Sequence, residues 1–398
     1  MIILDKPYVS RLLIETIAAM HLPVLANPTS KNLDLPDGTV LLSDDAFVAR
    51  MREETTKGGD AEYRLYTNSE QSIAWIAEHL GFTGLPARID RCKDKVKFRE
   101  MLRPLYPDFF YREVAADRLE NLEISALPKP FVIKPAVGFF SAGVYTVATD
   151  ADWARVLASL THEIDEIRAH YPPEVCDSGR FIIEEQIDGT EIAVDAYYTS
   201  DGTPVVLDIL RHDFSAADDV DDKVYVTSAA IVREYLGPVL RLLGEINTLA
   251  GLTAFPFHIE LRVGDDGTTT PIELNPLRFA GWCTTDIALH AYGINVYRCF
   301  FEERAPDWDR ILREDAGRRY SLLVVKRPDG IDPDDIEGFD ADRFLATFTH
   351  PLEWRPVDFR RYPVFGFLFT ETDESTRDEI DEFLRSDQAE CVIRRADR

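Results

Sequence analysis

Over roughly the first 90 residues, short apolar runs alternate with helix-like spacing of hydrophobic positions. Apolar runs at 1–4, 22–26 and 40–42 predict short strands, and the spacing through Met20 and over 71–80 is typical of amphipathic helices. This strand–helix rhythm predicts a small parallel α/β domain. It contains no Gly-x-Gly-x-x-Gly motif, so a dinucleotide-binding domain has little support.

From about residue 130 the pattern changes to β-rich runs. Two runs, 131–134 and 144–147, flank a Gly/Ser-containing loop and predict a hairpin, and 152–170 has helical spacing. A second helix is predicted over 232–250. These elements predict a mixed α+β fold with mostly antiparallel pairing. The other predicted strands are 181–185, 192–198, 205–210, 257–263 and 270–274.

Residues 318–398 are predicted to form a small α+β unit, to which the sequence assigns no role. Strands are expected at 321–325 and 361–369, and a helix at 374–385.

Composition narrows the classes of partner. The chain has 398 residues with 44 Lys and Arg against 71 Asp and Glu, a net charge of −27. Such a charge repels nucleic acids and anionic membranes, although a local basic pocket could still hold one nucleotide. The five scattered cysteines form no CxxC pair and suit free thiols in a reducing compartment. With no apolar run of about 18 residues, a cytoplasmic protein is expected.

Two lysines and a glycine-containing loop are candidates for phosphate binding. Lys134 ends an apolar strand, and Lys95 lies in a charged segment. The loop 137–143 carries Gly138, Ser141 and Gly143, whose backbone N–H groups and hydroxyl could surround phosphate oxygens. A solvated lysine and an ordinary hairpin turn are the alternatives.

Residues 181–191 form a strand that runs into an acidic turn. Its backbone could meet an adenine, and the carboxylates of Glu184 and Glu191 could accept hydrogen bonds from a nucleotide. A solvated acidic turn is the alternative.

The late segments 258–262 and 271–276 carry paired acids. Alternation places His258, Glu260 and Arg262 on one face of a strand. Glu273 and Asn275 share a face of the next strand, and the intervening glycine-containing turn predicts a hairpin. Two carboxylates and an amide oxygen are ligands that Mg²⁺ prefers, with positions left for phosphates and water.

In this order, the motifs resemble those of the ATP-grasp superfamily, which includes D-alanine–D-alanine ligase and bacterial L-amino-acid ligases. The resemblance runs from about Lys95 to Phe301. It implies that Lys95 and Lys134 contact phosphates, and that Glu260, Glu273 and Asn275 bind Mg²⁺, with Mn²⁺ as an alternative ion. It implies further ATP contacts from the phosphate loop, the adenine hinge and the ribose carboxylate: Ser141, Ala142, Gly143, Val144, Glu184, Glu185, Gln186, Ile187 and Glu191.

The sequence also departs from the family. The family often has Glu-x-Asn-x-Arg, whereas here the arginine, Arg278, follows one position later in ELNPLR. We still assign Arg278, with Lys134, a catalytic role at an acyl phosphate or tetrahedral intermediate. The missing run of glycines in the phosphate loop argues against a carboxylase. Substrate contacts are assigned to four polar or aromatic residues, each of which could instead be structural: Arg211, His258, Arg262 and Trp282.

The resemblance implies an ATP-grasp fold in four parts. These are an N-terminal parallel α/β domain (1–92), a small lid subdomain (93–190), a large subdomain with the Mg²⁺ site (191–317) and a C-terminal α+β unit (318–398). The implied activity is an ADP-forming ligase that activates a small-molecule carboxylate as an acyl phosphate for attack by an amine. A homodimer would be typical. The alternatives are a thiol ligase, a phosphotransferase and a non-catalytic nucleotide-binding regulatory protein.

Overall fold

A computed structural model describes residues 1–57, 63–138, 143–170, 177–213, 223–314, 316–328 and 330–395. The strands, in chain order, are β1 (Ile2–Ile3), β2 (Val24–Leu25), β3 (Leu41–Leu42), β4 (Tyr66–Thr67), β5 (Tyr111–Ala115), β6 (Phe131–Val137), β7 (Tyr145–Val147), β8 (Asp177–Glu185), β9 (Thr190–Tyr198), β10 (Pro204–Asp213), β11 (Val224–Ser228), β12 (Phe255–Val263), β13 (Thr269–Pro276), β14 (Arg319–Lys326), β15 (Ile336–Phe339), β16 (Pro351–Pro356), β17 (Val364–Thr372) and β18 (Val392–Arg394).

The α-helices are α1 (Arg11–Met20), α2 (Pro28–Asn32), α3 (Asp44–Lys57), α4 (Ser72–His79), α5 (Leu85–Lys93), α6 (Lys95–Leu102), α7 (Trp153–His170), α8 (Ala229–Ala250), α9 (Ile287–Tyr292), α10 (Val296–Glu302), α11 (Trp308–Arg313), α12 (Ala341–Leu345) and α13 (Asp378–Arg385). The chain divides into two compact units. Unit 1 comprises 1–189, 196–205 and 239–282, and unit 2 comprises 190–195, 206–238 and 283–398.

Unit 1 begins with the predicted parallel α/β part. Its sheet has the order β3-β2-β1-β4, and the β1–β2, β1–β4 and β2–β3 pairs are all parallel. Ser10 caps α1 by accepting a hydrogen bond from the Leu12 N–H, which satisfies one of the free donors of the first turn. Helix α1 buries Leu12, Leu13 and Ile17, as its amphipathic spacing predicts.

The middle of unit 1 is an antiparallel sheet of order β5-β8-β6-β7. The β6–β7 hairpin confirms the predicted pairing, with Phe131 opposite Val147. One face of this sheet packs against α7 through a closed apolar cluster. Its buried members are Val114, Leu119, Leu127, Phe131, Ile133, Val147, Trp153, Val156, Leu160, Phe181 and Ile183. This cluster holds Lys134 and Glu184 on rigid strands.

Unit 1 also contains the predicted β12–β13 hairpin. Glu260 lies opposite Glu273, and His258 lies opposite Asn275. A bulge follows Glu260, where the register shifts before Leu261. Because directly opposed residues share one face of a sheet, the hairpin places these four polar side chains together, as the alternation of the sequence predicts.

Gly189 presses the turn after β8 against the end of this hairpin. Its φ is +118°, and a Cβ at this position would lie 2.2 Å from the Val263 carbonyl oxygen. Arg262 Nη1 donates to the Gly189 carbonyl oxygen over 3.2 Å. Only glycine fits this position without moving backbone.

We therefore expect Gly189→Ala to lower the free energy of unfolding by about 1–3 kcal/mol, through backbone strain and the clash together. The matched control is Gly267→Ala, where φ is also positive at +82° but nothing lies within 4 Å of the added Cβ. Urea unfolding should show the larger loss at position 189. Equal losses in the two variants would contradict a close backbone approach at Gly189.

Unit 2 is built on strands in the order β9-β10-β11-β14-β17-β16, in which β9 and β10 contribute their residues 190–195 and 206–213. The pairs from β10 to β16 are antiparallel. Strands β15 and β18 form a separate antiparallel pair. The predicted C-terminal strands and helix are present as β14, β17 and α13. No helix among the described residues is long and apolar enough to cross a bilayer.

Two fully buried carboxyl groups, Asp195 and Asp208, lie in unit 2. Asp208 Oδ1 accepts hydrogen bonds from the Ile209 N–H and from Thr227 Oγ1, at 2.7 and 2.8 Å. Burial, reinforced by the neighbouring Asp195, raises the pKa of Asp208 to about 7.

Candidate active site

Lys95 and Lys134, the two predicted phosphate-contacting lysines, are both buried in unit 1 and paired with acids. Lys134 Nζ lies 2.5 Å from Glu184 Oε1, and Lys95 Nζ lies 2.8 Å from Glu273 Oε2. The Lys95 backbone is positioned by Asp94, which caps α6 by accepting from two N–H groups of its first turn. Both ammonium groups are therefore held at fixed places before any ligand arrives.

Glu184 serves as an anchor between two cations. Its other oxygen, Oε2, accepts from Arg99 Nε at 2.8 Å. Burial alone would raise the pKa of Glu184, but Arg99 and Lys134 outweigh it and lower that pKa to about 2. The Glu184 side chain is thus ionised, and both of its oxygens bind cations of unit 1.

The residues after Glu184 leave a backbone donor at the predicted adenine hinge. The Glu185 N–H donates to the Phe110 carbonyl oxygen, and the Gln186 N–H donates to that of Pro130. Among the hydrogen bonds of the described residues, none uses the Ile187 N–H. The hinge can therefore offer one peptide donor to a base without breaking a strand contact.

Glu273 lies at the centre of the predicted metal-binding set. Asn275 Nδ2 donates to Glu273 Oε1 at 2.9 Å, while Lys95 holds the other oxygen. Burial opposes ionisation of Glu273, but the Lys95 ammonium holds its pKa far below the usual range. Glu260 Oε1 lies 3.7 Å from His258 Nε2. An ionised carboxylate is a suitable ligand for a divalent cation.

The described residues contain no cluster of three or more His, Cys, Asp or Glu side chains arranged to hold a metal ion. The predicted set has two carboxylates and one amide oxygen, so a bound Mg²⁺ would need nucleotide phosphates and water to complete its shell. This incomplete set fits Mg²⁺ shared with a nucleotide, because Mg²⁺ usually keeps few protein ligands.

Arg278 belongs to the same electrostatic network as the lysines. Its guanidinium donates to Glu70 Oε1 through Nη2 at 2.6 Å and through Nε at 3.1 Å. The other oxygen of Glu70 accepts from Lys93. Burial would lower the pKa of the Arg278 guanidinium, but Glu70 outweighs burial and raises that pKa.

Five basic side chains thus interact with four acids inside unit 1 of a strongly acidic chain. This concentration of buried and half-buried cations suits the binding of a polyphosphate. The basic members are Lys93, Lys95, Arg99, Lys134 and Arg278, and the acidic members are Glu70, Glu184, Glu260 and Glu273.

Sequence reasoning assigned no role to Glu70, Lys93 or Arg99. Arg99 follows Lys95 by four positions on α6, so helical spacing could have placed both on one face. Glu70 is separated from Arg278 by 208 positions, and no local pattern indicates their contact.

The structure places the remaining predicted residues as follows. Gly143 has a φ of +71°, whereas Ser141 and Ala142 of the predicted phosphate loop lie outside the described residues. Trp282 also has a positive φ, +54°, and its ring lies 6.0 Å from that of Tyr8. The other predicted contacts are Val144, which is exposed, and Arg262, bound to the Gly189 carbonyl.

Two predicted contacts belong to unit 2, where each has an internal partner. Glu191 Oε1 lies 3.4 Å from His212 Nδ1, and the His212 ring stacks on Tyr225 at 4.4 Å. Arg211 forms two hydrogen bonds to Asp213, at 2.6 and 2.9 Å.

Comparison with known proteins identifies the fold. Residues 127–286 match the family model of the ATP-grasp domain, and the chain has the ATP-grasp fold. No curated protein matches the sequence.

Among solved structures, the chain is similar to an L-amino acid ligase from Bacillus licheniformis, with a TM-score of 0.68, 18% identity and coverage of 100% of this chain and 98% of that one. It is similar to the biotin carboxylase of Campylobacter jejuni in a complex with β,γ-ATP, with a TM-score of 0.62, 11% identity and coverage of 99% and 91%. It is also similar to the N5-carboxyaminoimidazole ribonucleotide synthetase of Thermotoga maritima, with a TM-score of 0.61, 14% identity and coverage of 98% of each chain.

Proposed function

We propose that this protein is an ATP-dependent ligase that joins a small-molecule carboxylate to an amine and releases ADP and phosphate. The observation that carries the proposal is the group of five basic side chains, four buried and Arg278 half-buried, around Glu70, Glu184 and Glu273 in unit 1. The similarity to an L-amino acid ligase over the full length of the chain supports the same activity.

The residues of this site suit the chemistry of carboxylate activation. A carboxylate resists attack by an amine because of its negative charge. In the proposed reaction a carboxylate oxygen attacks the γ-phosphorus of ATP, the bond to the β,γ-bridging oxygen breaks, and ADP leaves. Lys95 and Lys134 would bind the phosphate oxygens and stabilise the charge that spreads over them. Their ion pairs with Glu273 and Glu184 keep them in place.

In the second step the amine nitrogen attacks the acyl carbon, and phosphate leaves with the oxygen that formerly belonged to the carboxylate. The amine also loses a proton. Arg278 would stabilise the oxyanion that forms at the acyl carbon, a role that suits a guanidinium held in place by Glu70. Glu260, Glu273 and Asn275 would hold Mg²⁺, which supplies charge neutralisation at the phosphates.

The test is a phosphate-release screen of the purified full chain with ATP and Mg²⁺ over amino acids and small carboxylates, alone and in pairs. We expect phosphate release that requires both a carboxylate and an amine. Mass spectrometry of those reactions should show a product whose mass is the sum of the two substrates less one water.

Three other outcomes would overturn the proposal. A product that forms only with a thiol would indicate a thiol ligase. Transfer of the γ-phosphoryl group to a stable product would indicate a phosphotransferase. Tight nucleotide binding without turnover in any mixture would indicate a regulatory protein.

A further inference from the structure

Strand β4 and the three residues after it, 66–70, lead into α4 and are called the β4–α4 junction here. This junction contacts the loop that carries Arg278. The Thr67 N–H donates to the Leu277 carbonyl oxygen at 2.8 Å. On the other side of Arg278, the Phe279 N–H donates to the Tyr66 hydroxyl at 3.4 Å, and the two rings lie 5.2 Å apart. The junction therefore holds the backbone on both sides of Arg278.

Glu70 of the same junction holds the Arg278 side chain. Both Nη2 and Nε of Arg278 donate to Glu70 Oε1, while Nη1 donates to the Phe279 carbonyl oxygen at 3.0 Å. Glu70 Oε2 is held by Lys93, and the Glu70 side chain is only 7% exposed. Three guanidinium nitrogens are thus directed by fixed acceptors, and one orientation of Arg278 is selected.

The backbone before Arg278 is itself strained. Leu277 has a φ of +60° although it is not glycine, and its side chain is buried. A non-glycine residue in this region is strained, and the conformation persists only where surrounding contacts determine it. The Thr67 and Pro256 backbones, each hydrogen-bonded to Leu277, supply such contacts. Strain of this kind is typical of functional sites.

We propose that Glu70 is a positioning residue that orients Arg278 for the acyl-transfer step. This inference rests on the proposed ligase function. It assigns a part in the reaction to the N-terminal α/β part of the chain, which none of the sequence motifs does. Glu70 acts only through Arg278, so its effect on the rate should vanish once Arg278 can no longer be oriented.

The experiment is a double-mutant cycle on the full chain with Glu70→Gln, Arg278→Lys and the double variant. Lysine keeps the charge of Arg278 but loses the planar fork that Glu70 orients. We expect each single variant to lower kcat for ligation by about 10–100-fold, with the KM for ATP changed less than about threefold. In the Arg278→Lys background, Glu70→Gln should lower kcat by less than about threefold.

Glu70→Gln removes a buried negative charge and could disturb folding, so a second variant and a control are included. Glu70→Asp keeps the charge beside Lys93 but withdraws it by one methylene, and it too should lower kcat in a folded protein. The control is Glu353→Gln in unit 2, which breaks a comparable pair with Arg355 at 2.9 and 2.8 Å and should leave kcat unchanged.

The outcomes separate the two proposals. Equal losses from Glu70→Gln in both backgrounds, or a wild-type kcat for Glu70→Asp, would overturn the positioning role while the ligase function stands. If the wild-type protein joins no carboxylate to any amine, the ligase function fails and the positioning role fails with it. A non-additive cycle with unchanged KM supports both.

Discussion

Replacing Glu273 with alanine is expected to lower the rate of ATP turnover by about 10²–10³-fold, with a much smaller loss of nucleotide binding. Glu273 binds Lys95 and Asn275 and lies opposite Glu260 across the hairpin. Its removal takes away the central carboxylate of the proposed Mg²⁺ set and the acid that positions a phosphate-binding lysine. The adenine hinge is untouched, so affinity should fall less than rate.

ADP formation with a productive substrate pair measures the rate, and titration calorimetry with ATP measures the binding. Glu273→Gln serves as a second variant, because it preserves the side-chain volume beside buried Lys95. The control is Glu100→Ala on α6, since Glu100 is exposed and bonds Arg103 and Tyr111. Wild-type ADP formation by Glu273→Ala would refute the assigned role.

The second large effect concerns stability in unit 2. We expect Asp208→Asn to stabilise the protein at pH 8 by up to about 4 kcal/mol relative to wild type. The carboxyl of Asp208 has a pKa of about 7 in the folded protein against an ordinary value of 3.8. That difference of about three units corresponds to roughly 4 kcal/mol.

The sign follows from which state binds the proton. Between pH 4 and 7 the unfolded chain has lost the Asp208 proton while the folded chain retains it, so a rise in pH favours unfolding. The contribution of this carboxyl is fully present below pH 4 and is lost as pH rises through 7. An asparagine can still accept from Thr227 and from the Ile209 N–H, but it has no proton to lose.

Urea midpoints of wild type and Asp208→Asn should therefore coincide near pH 4 and separate steadily up to pH 8. Asp266→Asn provides the control. Asp266 is exposed, and hydrogen bonds from Thr268 lower its pKa, so it is ionised in both states across pH 5–8. If the Asp208→Asn variant shows the same pH dependence as wild type, the folded protein does not hold a protonated Asp208.

Most of the fold could be predicted from hydrophobic periodicity, and the errors have physical reasons. Residues 257–263 of β12 and 272–276 of β13 alternate between apolar and polar residues, and the predicted hairpin is confirmed. Strand β16 was not predicted. Its six residues begin and end with proline, which cannot donate a backbone hydrogen bond and argues against a strand. Strand β17 begins at Val364, three residues later than predicted, because Arg361 and Tyr362 bond back to Asp358 in a turn.

The candidate site likewise contains residues that local patterns indicate and one that they do not. Lys95, Lys134, Glu273 and Asn275 could be proposed from the sequence because each lies in a short motif whose spacing is set by one strand or helix, and their roles stay predictions. Glu70 was not, because its contact with Arg278 depends on tertiary packing between segments 208 positions apart. A local sequence pattern indicates which residues lie on the same face of one helix or strand. It carries no information on contacts between segments that are distant in the sequence.

The contact between Glu70 and Arg278 has a consequence for protein engineering. The segment that matches the ATP-grasp domain, 127–286, includes the arginine but not its acid. A chimaera that grafts this segment onto a foreign N-terminal domain would bring Arg278 without the carboxylate that holds it, and Lys93 would be lost as well. Recombination of such enzymes should therefore place its crossover before residue 66, so that the arginine and its anchor are inherited together.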